Sequence, residues 1–296
     1  MKKLLLFLLF IQTFSSFSLA QLVSALPVQF DYDGDGRADL SVFRPSNGVW
    51  YIQHFSIVGF KAVQFGMSGD KPVPADYNGD TKTDIAVFRP SEGVWYIRNV
   101  DGGFTAIPFG LADDIPVPAD YDGDRKAEIA VFRPSNGTWY TYNFRNNQVS
   151  YFRFGLAGDI PVVADYDGDR KADIAVYRDG VWYLQQSKDG FAVINFGLAG
   201  DKPVPSYYDS NLKADLAVFR PSDRVWYALR STEGFTAMQF GLSTDKLIPT
   251  DYDGDGITDF AVHRNGIWYI QRSRLGFTTF EFGEPDDIPT ANAFIR

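Results

Sequence analysis

The sequence has 296 residues, enough to bury the core of one large domain or two modest ones. It contains no cysteine, which excludes disulfide stabilisation and cysteine-based metal sites. Its 37 acidic residues outnumber 28 basic residues, for a formal net charge of −9. This balance excludes the strongly basic surface that a nucleic-acid partner requires, so we expect no nucleic-acid binding.

Residues 1–20 have the three successive parts of a secretory signal peptide. Two lysines precede an apolar run over residues 4–11, and small residues lead to Ala20. Polar residues from Gln12 onward interrupt this run before it reaches the roughly 20 apolar residues of a transmembrane helix. We therefore expect cleavage after Ala20 and secretion of residues 21–296, into a periplasm or outside the cell, without membrane insertion.

A Trp-Tyr pair recurs along the rest of the chain at intervals of 42 to 45 residues. The pairs begin at Trp50, Trp95, Trp139, Trp182, Trp226 and Trp268. They include all six tryptophans, so one repeated unit accounts for residues 21–296 as a single domain. The repeats begin near residues 26, 71, 115, 160, 202 and 246.

Each repeat predicts four short β-strands. In the third copy these are residues 116–121, residues 129–133, a strand that begins at Trp139, and a last strand that ends at Phe154-Gly155. Alternating and β-branched residues lie between Gly and Pro turn signals, and no segment has apolar residues at helical spacing. Four strands in a repeat of this length are typical of a propeller blade.

We therefore predict an all-β fold, a single β-propeller of six four-stranded blades. Residues 287–296 contain Ile288-Pro289, which resembles the first strand of a further repeat without its loop. We expect this segment to dock against the N-terminal blade as a closing strand. A seventh, incomplete blade is the alternative.

Nine-residue loops rich in aspartate join the first two predicted strands of every repeat. Oxygen-bearing side chains recur at loop positions one, three, five and nine, and glycine stands at position four in most copies. Alternate side chains of a tight loop point inward, so these oxygens can surround one hard cation. A hairpin turn without metal is the alternative for a single loop, but the same offsets in six copies favour metal ligands.

Calcium is the expected ion, because many flexible oxygen ligands suit it better than magnesium, and the near absence of His and Cys disfavours zinc. The predicted ligands are Asp31, Asp33, Asp35, Asp39, Asp76, Asn78, Asp80, Asp84, Asp120, Asp122, Asp124, Glu128, Asp165, Asp167, Asp169, Asp173, Asp251, Asp253, Asp255 and Asp259.

The fifth loop departs from this pattern. Tyr207 stands at position one and Ser210 at position four, which leaves Asp209, Asn211 and Asp215 as oxygen donors. We expect this loop to bind metal weakly or not at all.

The Asp-x-Asp-Gly-Asp loop and a recurring Phe-Gly pair resemble the FG-GAP family, the calcium-binding propeller repeats of integrin α-subunits, and bacterial VCBS repeats. The Phe-Gly pairs lie at residues 65–66, 109–110, 154–155, 196–197, 240–241 and 282–283, and the resemblance spans about residues 26–290. It implies a propeller with calcium in the loops between strands one and two, and roles in adhesion or glycan recognition. Integrin propellers have seven blades, whereas this chain has six complete copies.

Two further residues recur in every copy. An arginine ends each second strand (Arg44, Arg89, Arg133, Arg178, Arg220 and Arg264), and an aspartate follows each Phe-Gly pair (Asp70, Asp114, Asp159, Asp201, Asp245 and Asp287). We expect six structural Arg-Asp pairs. A six-fold ligand-binding ring is the alternative.

No catalytic constellation is visible in the sequence. His54 and His263 are the only histidines, and most acidic residues belong to the loops. We expect a binding protein rather than an enzyme. A polysaccharide-cleaving enzyme is the minority alternative.

The hairpin that follows Trp139 is the largest departure from the repeat. Its candidate ligand-binding residues are Tyr140, Tyr142, Phe144, Arg145 and Tyr151. Aromatic rings, amides and an arginine suit sugar stacking or a protein contact. We expect an extracellular recognition or adhesion module for a glycan or a protein. A structural component of an extracellular matrix or appendage is the alternative.

Overall fold

The computed structural model describes residues 28–295, except residues 57 and 58. In this part of the chain, 24 strands form six antiparallel sheets of four strands each. The predicted all-β, six-bladed propeller is confirmed. The expected signal peptide, residues 1–20, lies outside the described residues. Among the residues described, no helix has the length and hydrophobicity to cross a membrane.

The first three blades each run from a short innermost strand to an outermost strand. The first contains β24 (Ile288–Pro289), β1 (Leu40–Arg44), β2 (Val49–Gln53) and β3 (Lys61–Gln64). The second contains β4 (Lys71–Pro72), β5 (Ala86–Arg89), β6 (Val94–Arg98) and β7 (Phe104–Pro108). The third contains β8 (Ile115–Pro116), β9 (Ile129–Arg133), β10 (Thr138–Asn143) and β11 (Gln148–Arg153).

The other three blades follow the same order without interruption. The fourth contains β12 (Ile160–Pro161), β13 (Ile174–Arg178), β14 (Val181–Gln186) and β15 (Gly190–Asn195). The fifth contains β16 (Lys202–Pro203), β17 (Leu216–Arg220), β18 (Val225–Arg230) and β19 (Gly234–Gln239). The sixth contains β20 (Lys246–Leu247), β21 (Phe260–Arg264), β22 (Ile267–Arg272) and β23 (Gly276–Glu281).

The two ends of the repeat array meet in the first blade. Strand β24 pairs with β1, where Val42 lies opposite Pro289. A 3₁₀ turn follows, and its Thr290 hydroxyl accepts a hydrogen bond from the Tyr32 hydroxyl at 3.1 Å. Residues 288–289 therefore complete the sixfold ring, and the alternative of a seventh, incomplete blade is wrong.

The innermost strand of each blade is shorter than the sequence pattern predicts. In the third blade the strand spans only Ile115–Pro116, and a single isolated bridge joins Ala119 to Glu128. Beyond Pro116 the Val117 N–H still donates to the Ala130 carbonyl at 2.9 Å, and the strand of the sixth blade ends at Leu247 in the same way. The remaining residues lead into the acidic loop.

Each blade is held to its outer turn by its buried tryptophan. The six tryptophans are at most 1% exposed, and every indole N–H donates to the carbonyl of the Phe in a Phe-Gly pair, at 2.7 to 3.0 Å. The following glycine has no room for a side chain. At Gly66, with φ of 132°, an added Cβ would lie 2.9 Å from the ring of Phe43. This packing explains why Trp and Phe-Gly recur together.

The predicted Arg-Asp pairs are confirmed in all six blades. Each guanidinium donates through Nε and Nη2 to the two carboxylate oxygens of an aspartate just before the innermost strand, at 2.5 to 3.0 Å. The same arginine lies over the tyrosine that follows the tryptophan, as Arg44 does over Tyr51 at 4.4 Å. Two-point contact with a buried carboxylate fixes the turn between neighbouring blades.

His263 is the exception to the packing of the second strands. It stands where the other blades have Phe43, Phe88, Phe132, Tyr177 or Phe219. It is 1% exposed, and neither ring nitrogen has a hydrogen-bond partner among the described residues. Burial, with a smaller effect of nearby Lys246, lowers its pKa from 6.5 to about 4.

Replacing His263 with phenylalanine, the residue at this position in most of the other blades, tests whether the buried imidazole makes stability depend on pH. Below pH 6.5 the unfolded chain takes up a proton that the native chain binds only near pH 4. The contribution of His263 to the free energy of unfolding therefore falls on acidification, by roughly 3 kcal/mol across this range. We expect His263→Phe to lose this component, so that its stability advantage over the wild type grows from pH 7 to pH 4 in urea titrations. A difference that stays constant with pH would contradict this assignment.

Candidate functional site

The carboxylate at loop position one organises each acidic loop except the fifth. In the first loop, Asp31 accepts the backbone N–H of Gly34 at 2.6 Å and that of Gly36 at 2.8 Å. The equivalent bonds recur around Asp76, Asp120, Asp165 and Asp251 at 2.6 to 2.8 Å. These bonds wrap the backbone around the carboxylate and give the five loops one shape.

Loop position six adopts a left-handed conformation that the sequence pattern did not reveal. The residue is glycine in the first and sixth loops, but it is Thr81, Arg125 and Arg170 in the second, third and fourth, with φ of 69° to 70°. Such angles are uncommon for residues with a side chain. The N–H of this residue donates to the position-one carboxylate, which holds the backbone in place.

The carboxylate at position nine is buried in every loop except the second, where Asp84 is partly buried. One of its oxygens accepts the backbone N–H of position two in all six loops, at 2.8 to 2.9 Å. In the first loop the other oxygen, Oδ1 of Asp39, is buried and has no hydrogen-bond partner among the described residues. Oδ1 of Asp253, at position three of the sixth loop, is in the same situation. Buried oxygens of this kind are open to a cation.

In several loops the carboxylate oxygens of different side chains lie close together. Oxygens of three acidic side chains lie within 4.8 Å of one another in the first, third, fourth and sixth loops. The sets are Asp31, Asp33 and Asp35; Asp120, Asp122 and Glu128; Asp165, Asp167 and Asp173; and Asp251, Asp253 and Asp255. The second loop has an amide, Asn78, at position three, and its side chain donates to Asp84.

Burial makes the position-nine carboxyls hard to ionise. It raises the pKa of Asp39, Asp84, Asp173 and Asp215 to about 6, and that of Glu128 and Asp259 to about 7. Neighbouring carboxylates add to the increase, and backbone hydrogen bonds oppose it. Burial also raises the pKa of the position-one aspartates. A bound cation would stabilise all of these groups in their ionised form.

In the fourth, fifth and sixth blades, the turn between the two outer strands supports the loop. The backbone N–H of Ser187, Ser231 or Ser273 donates to the position-nine carboxylate at 2.7 to 2.8 Å. The next residues donate to position three, as Lys188 does to Asp167 at 2.8 Å. This support requires contacts between segments about 20 residues apart, and no residue pattern in the sequence predicted it.

The loops also bond to one another in a closed ring. The backbone N–H at position eight donates to the position-one carbonyl of the preceding loop at 2.7 to 2.8 Å, and Ala38 closes the ring by donating to Asp251. The other bonds join Thr83 to Asp31, Ala127 to Asp76, Ala172 to Asp120, Ala214 to Asp165, and Thr258 to Tyr207. The six loops therefore form one continuous element.

The fifth loop lacks the position-one carboxylate and the left-handed residue at position six, but it keeps the position-nine bond, the support of the outer turn and its place in the loop ring. Asp209 and Asp215 are at most 1% exposed. The Asn211 amide nitrogen donates to Asp209 and to Ser231, so it points a donor at the place where the other loops have a carboxylate. The fifth loop, which we expect to bind metal weakly, thus has two carboxylates and an amide whose nitrogen already donates two hydrogen bonds.

The hairpin of the third blade places its predicted ligand-binding residues in two environments. Tyr140, Tyr142 and Phe144 are partly buried against the core of the second blade. Arg145 forms a salt bridge with Asp124 at 2.8 Å, and Tyr151 on β11 is 77% exposed. All six residues of β11 are exposed, whereas the outer strands of the next three blades alternate.

The outer part of every blade carries an exposed aromatic residue at a similar place, and we call this set the rim aromatics. They are Phe60 (59% exposed), Phe104 (60%), Tyr151 (77%), Phe191 (61%), Phe235 (61%) and Phe277 (57%). The five phenylalanines stand five residues before the Phe of a Phe-Gly pair, while Tyr151 stands two residues further along. Tyr151 was predicted as a binding residue, but the five phenylalanines were not, although their spacing is regular.

Each rim aromatic keeps a large exposed surface, and several rest on other rings. Phe60 lies 5.9 Å from the ring of Tyr51 in its own blade and 6.1 Å from Phe282 of the sixth blade. Phe235 has the same two contacts, with Tyr227 at 6.2 Å and Phe196 at 6.5 Å. These rings therefore present aromatic surface at the junctions between neighbouring blades.

One family of repeats matches the chain. Residues 31–87, 76–131 and 120–176 match the FG-GAP-like repeat. No curated protein matches the chain.

The solved structures that share the fold include a lectin, a lyase and a protein complex. A lectin of Agrocybe aegerita that recognises non-reducing terminal N-acetylglucosamine has a TM-score of 0.57 and 17% identity, over 91% of this chain and 80% of that chain. A streptogramin B lyase has a TM-score of 0.57 and 8% identity, over 88% and 86%. BBS1N in complex with ARL6DN has a TM-score of 0.52 and 14% identity, over 88% and 84%.

At these identities the solved structures establish the propeller fold alone. The repeat matches cover four consecutive acidic loops, from residue 31 to residue 173, together with the strands that follow them. The chain therefore belongs to the FG-GAP repeat family.

Proposed function

We propose that this protein is a secreted, calcium-loaded propeller that recognises glycans through its rim aromatics and has no enzymatic activity. The observation that carries this proposal is the recurrence of an exposed rim aromatic in all six blades. Large exposed apolar groups at regular positions mark interaction surfaces. Secretion rests on the signal-like residues 1–20.

Calcium is the ion that best suits the acidic loops. The loops offer aspartate and glutamate oxygens from positions one, three, five and nine, which are the ligands that calcium prefers. Two buried oxygens without partners among the described residues, on Asp39 and Asp253, are available to a cation. Magnesium usually keeps several waters and does not require so many carboxylates. The ions would fix the loop ring and make the propeller rigid without disulfides.

The rim aromatics suit glycan binding because their ring faces are exposed and because six of them lie on one body. An aromatic ring with an open face can cover the apolar face of a sugar, and Arg, Gln or Asn side chains can bond its hydroxyl groups. Six similar weak sites on one rigid body suit a repetitive ligand, because binding at one site raises the effective concentration at the next. The similarity in fold to a lectin that recognises N-acetylglucosamine supports this class of ligand.

A second candidate is adhesion to a protein through the third blade. Strand β11 exposes Val149 (56%), Tyr151 (77%) and Phe152 (44%) close together, and no other outer strand among the described residues does so on both faces. One asymmetric apolar edge favours a single protein partner over a repetitive glycan.

The calcium proposal predicts five ions per chain, with none held tightly by the fifth loop. Asp253 and Asp209 stand at position three of the sixth and fifth loops, and both accept hydrogen bonds from their outer turn. We expect Asp253→Asn to lose one ion and the matched control Asp209→Asn to lose none, by metal analysis after equilibrium dialysis. At a free calcium concentration 100 times the dissociation constant, each ion adds about 2.7 kcal/mol, so a chelator should lower the melting temperature steeply. Fewer than three ions per chain, or a melting curve indifferent to chelator, would refute calcium loading.

The glycan proposal predicts that rim aromatics act together. We expect a glycan array with the mature protein in calcium to identify a repetitive ligand, and the triple variant Phe191→Ala, Phe235→Ala, Phe277→Ala to bind it at least about tenfold more weakly, or about 1.4 kcal/mol. Val100→Ala, which removes an exposed apolar side chain (86%) that is not one of the rim aromatics, should bind normally.

The third-blade alternative has its own variant. Replacement of Tyr142, Phe144 and Tyr151 with Ala should leave glycan binding largely intact if five rim aromatics suffice. If that variant loses all binding while the rim variant keeps it, the binding site lies in the third hairpin and not at the rim aromatics. Turnover of a polysaccharide by the wild type would overturn the proposal that the protein is not an enzyme.

A further inference from the structure

The first acidic loop differs from the other five because a histidine lies beside it. His54 comes four residues after Trp50, directly after β2. The same position holds Asn99, Asn143, Gln186, Arg230 and Arg272 in the other blades. His54 is 7% exposed, so its ring is enclosed at the end of the first blade rather than free in solvent.

The imidazole faces two carboxylates of the first loop. Its Nδ1 lies 2.9 Å from Oδ2 of Asp39 and 3.7 Å from Oδ2 of Asp33. One ligand atom from each of the three side chains lies within 4.8 Å of the other two. Asp39 is 2% exposed, and its second oxygen is buried without a partner in the described part of the chain.

Other groups hold the two carboxylates in position. Oδ2 of Asp39 accepts the backbone N–H of Tyr32 at 2.8 Å, and Oδ2 of Asp33 accepts the hydroxyl of Ser56. Metal sites commonly orient their ligands by such outer hydrogen bonds. His54 also lines a cavity of about 130 Å³ between the first and second blades, opposite Asp80 and Asp84 of the second loop.

We propose that His54, Asp33 and Asp39 bind a zinc-class divalent ion. One imidazole nitrogen and two carboxylates form a ligand set that suits zinc, whereas calcium takes oxygen ligands. Three protein ligands leave the fourth tetrahedral position to water or a bound anion. This proposal rests on the metal binding proposed for the loops and shares Asp33 and Asp39 with the first loop. A chain that binds zinc there keeps calcium in the second, third, fourth and sixth loops, which is four of the five calcium ions proposed in the absence of zinc.

The test uses the mature chain titrated with ZnCl₂ in excess calcium, followed by calorimetry. We expect one zinc ion per chain, and at least about tenfold weaker binding in His54→Asn, equivalent to about 1.4 kcal/mol. This variant carries the residue that the second and third blades have at this position. The matched control His263→Phe removes the other histidine, which is buried in the sixth blade, and should bind zinc as the wild type does.

Imidazole nitrogen spectra identify the ligand atom directly. With two histidines in the chain, zinc should shift the Nδ1 resonance of His54 and leave His263 unchanged. The absence of zinc binding to the wild type, or zinc binding that is equal in His54→Asn, would overturn the proposal. Calcium counts in the same samples separate the two hypotheses, because the loss of calcium binding from every loop would refute the proposed function and not the zinc site.

Discussion

The concentration of negative charge in one ring of loops is the constraint on which the rest of the structure depends. Six loops bond to one another through position-eight amides, so their carboxylates cannot move apart to relieve repulsion. Burial raises the pKa of the position-nine carboxyls to about 6 or 7, which shows how unfavourable their ionised form is without a counter-ion. Cations in the loops would convert this repulsion into the attraction that holds the blades together.

The structure separates the residues that build the propeller from those available for binding. Buried tryptophans, Phe-Gly turns and Arg-Asp pairs recur in every blade and form the same contacts each time. The rim aromatics also recur, but their exposed faces contribute little to the core. A histidine beside an acidic loop, His54, occurs in the first blade alone among those described, and an outer strand exposed at all of its residues, β11, occurs in the third. A sixfold scaffold can thus carry a repeated surface and single departures from it without a change in packing.

Much of the architecture could be predicted because each repeat encodes one blade. The tryptophan spacing predicted the number of blades, and the arginine at the end of each second strand predicted a pair that the structure confirms, such as Arg89 with Asp70. The pairing of Ile288 with Phe43 could not be inferred from a single repeat, since it joins the two ends of the array. It decides between six and seven blades.

Features that depend on contacts between repeats were not predictable from residue patterns. The backbone ring that joins Ala38 to Asp251 involves no particular side chain, so no sequence pattern marks it. The left-handed residue Thr81 carries no signal in the sequence and is held there by its bond to Asp76. The exposure of Phe235 follows from its place on an edge strand, which alternation alone does not distinguish from a buried one.

The most direct test of whether bound cations hold the loop ring together is hydrogen exchange at its position-eight amides, measured with calcium and then with a chelator. We expect slow exchange of Ala38, Thr83 and Ala127 in calcium and much faster exchange after chelation, while the amide of Val131 in β9 stays protected as an internal reference. Equal exchange rates of the loop amides in both conditions would contradict the claim that bound cations stabilise the ring.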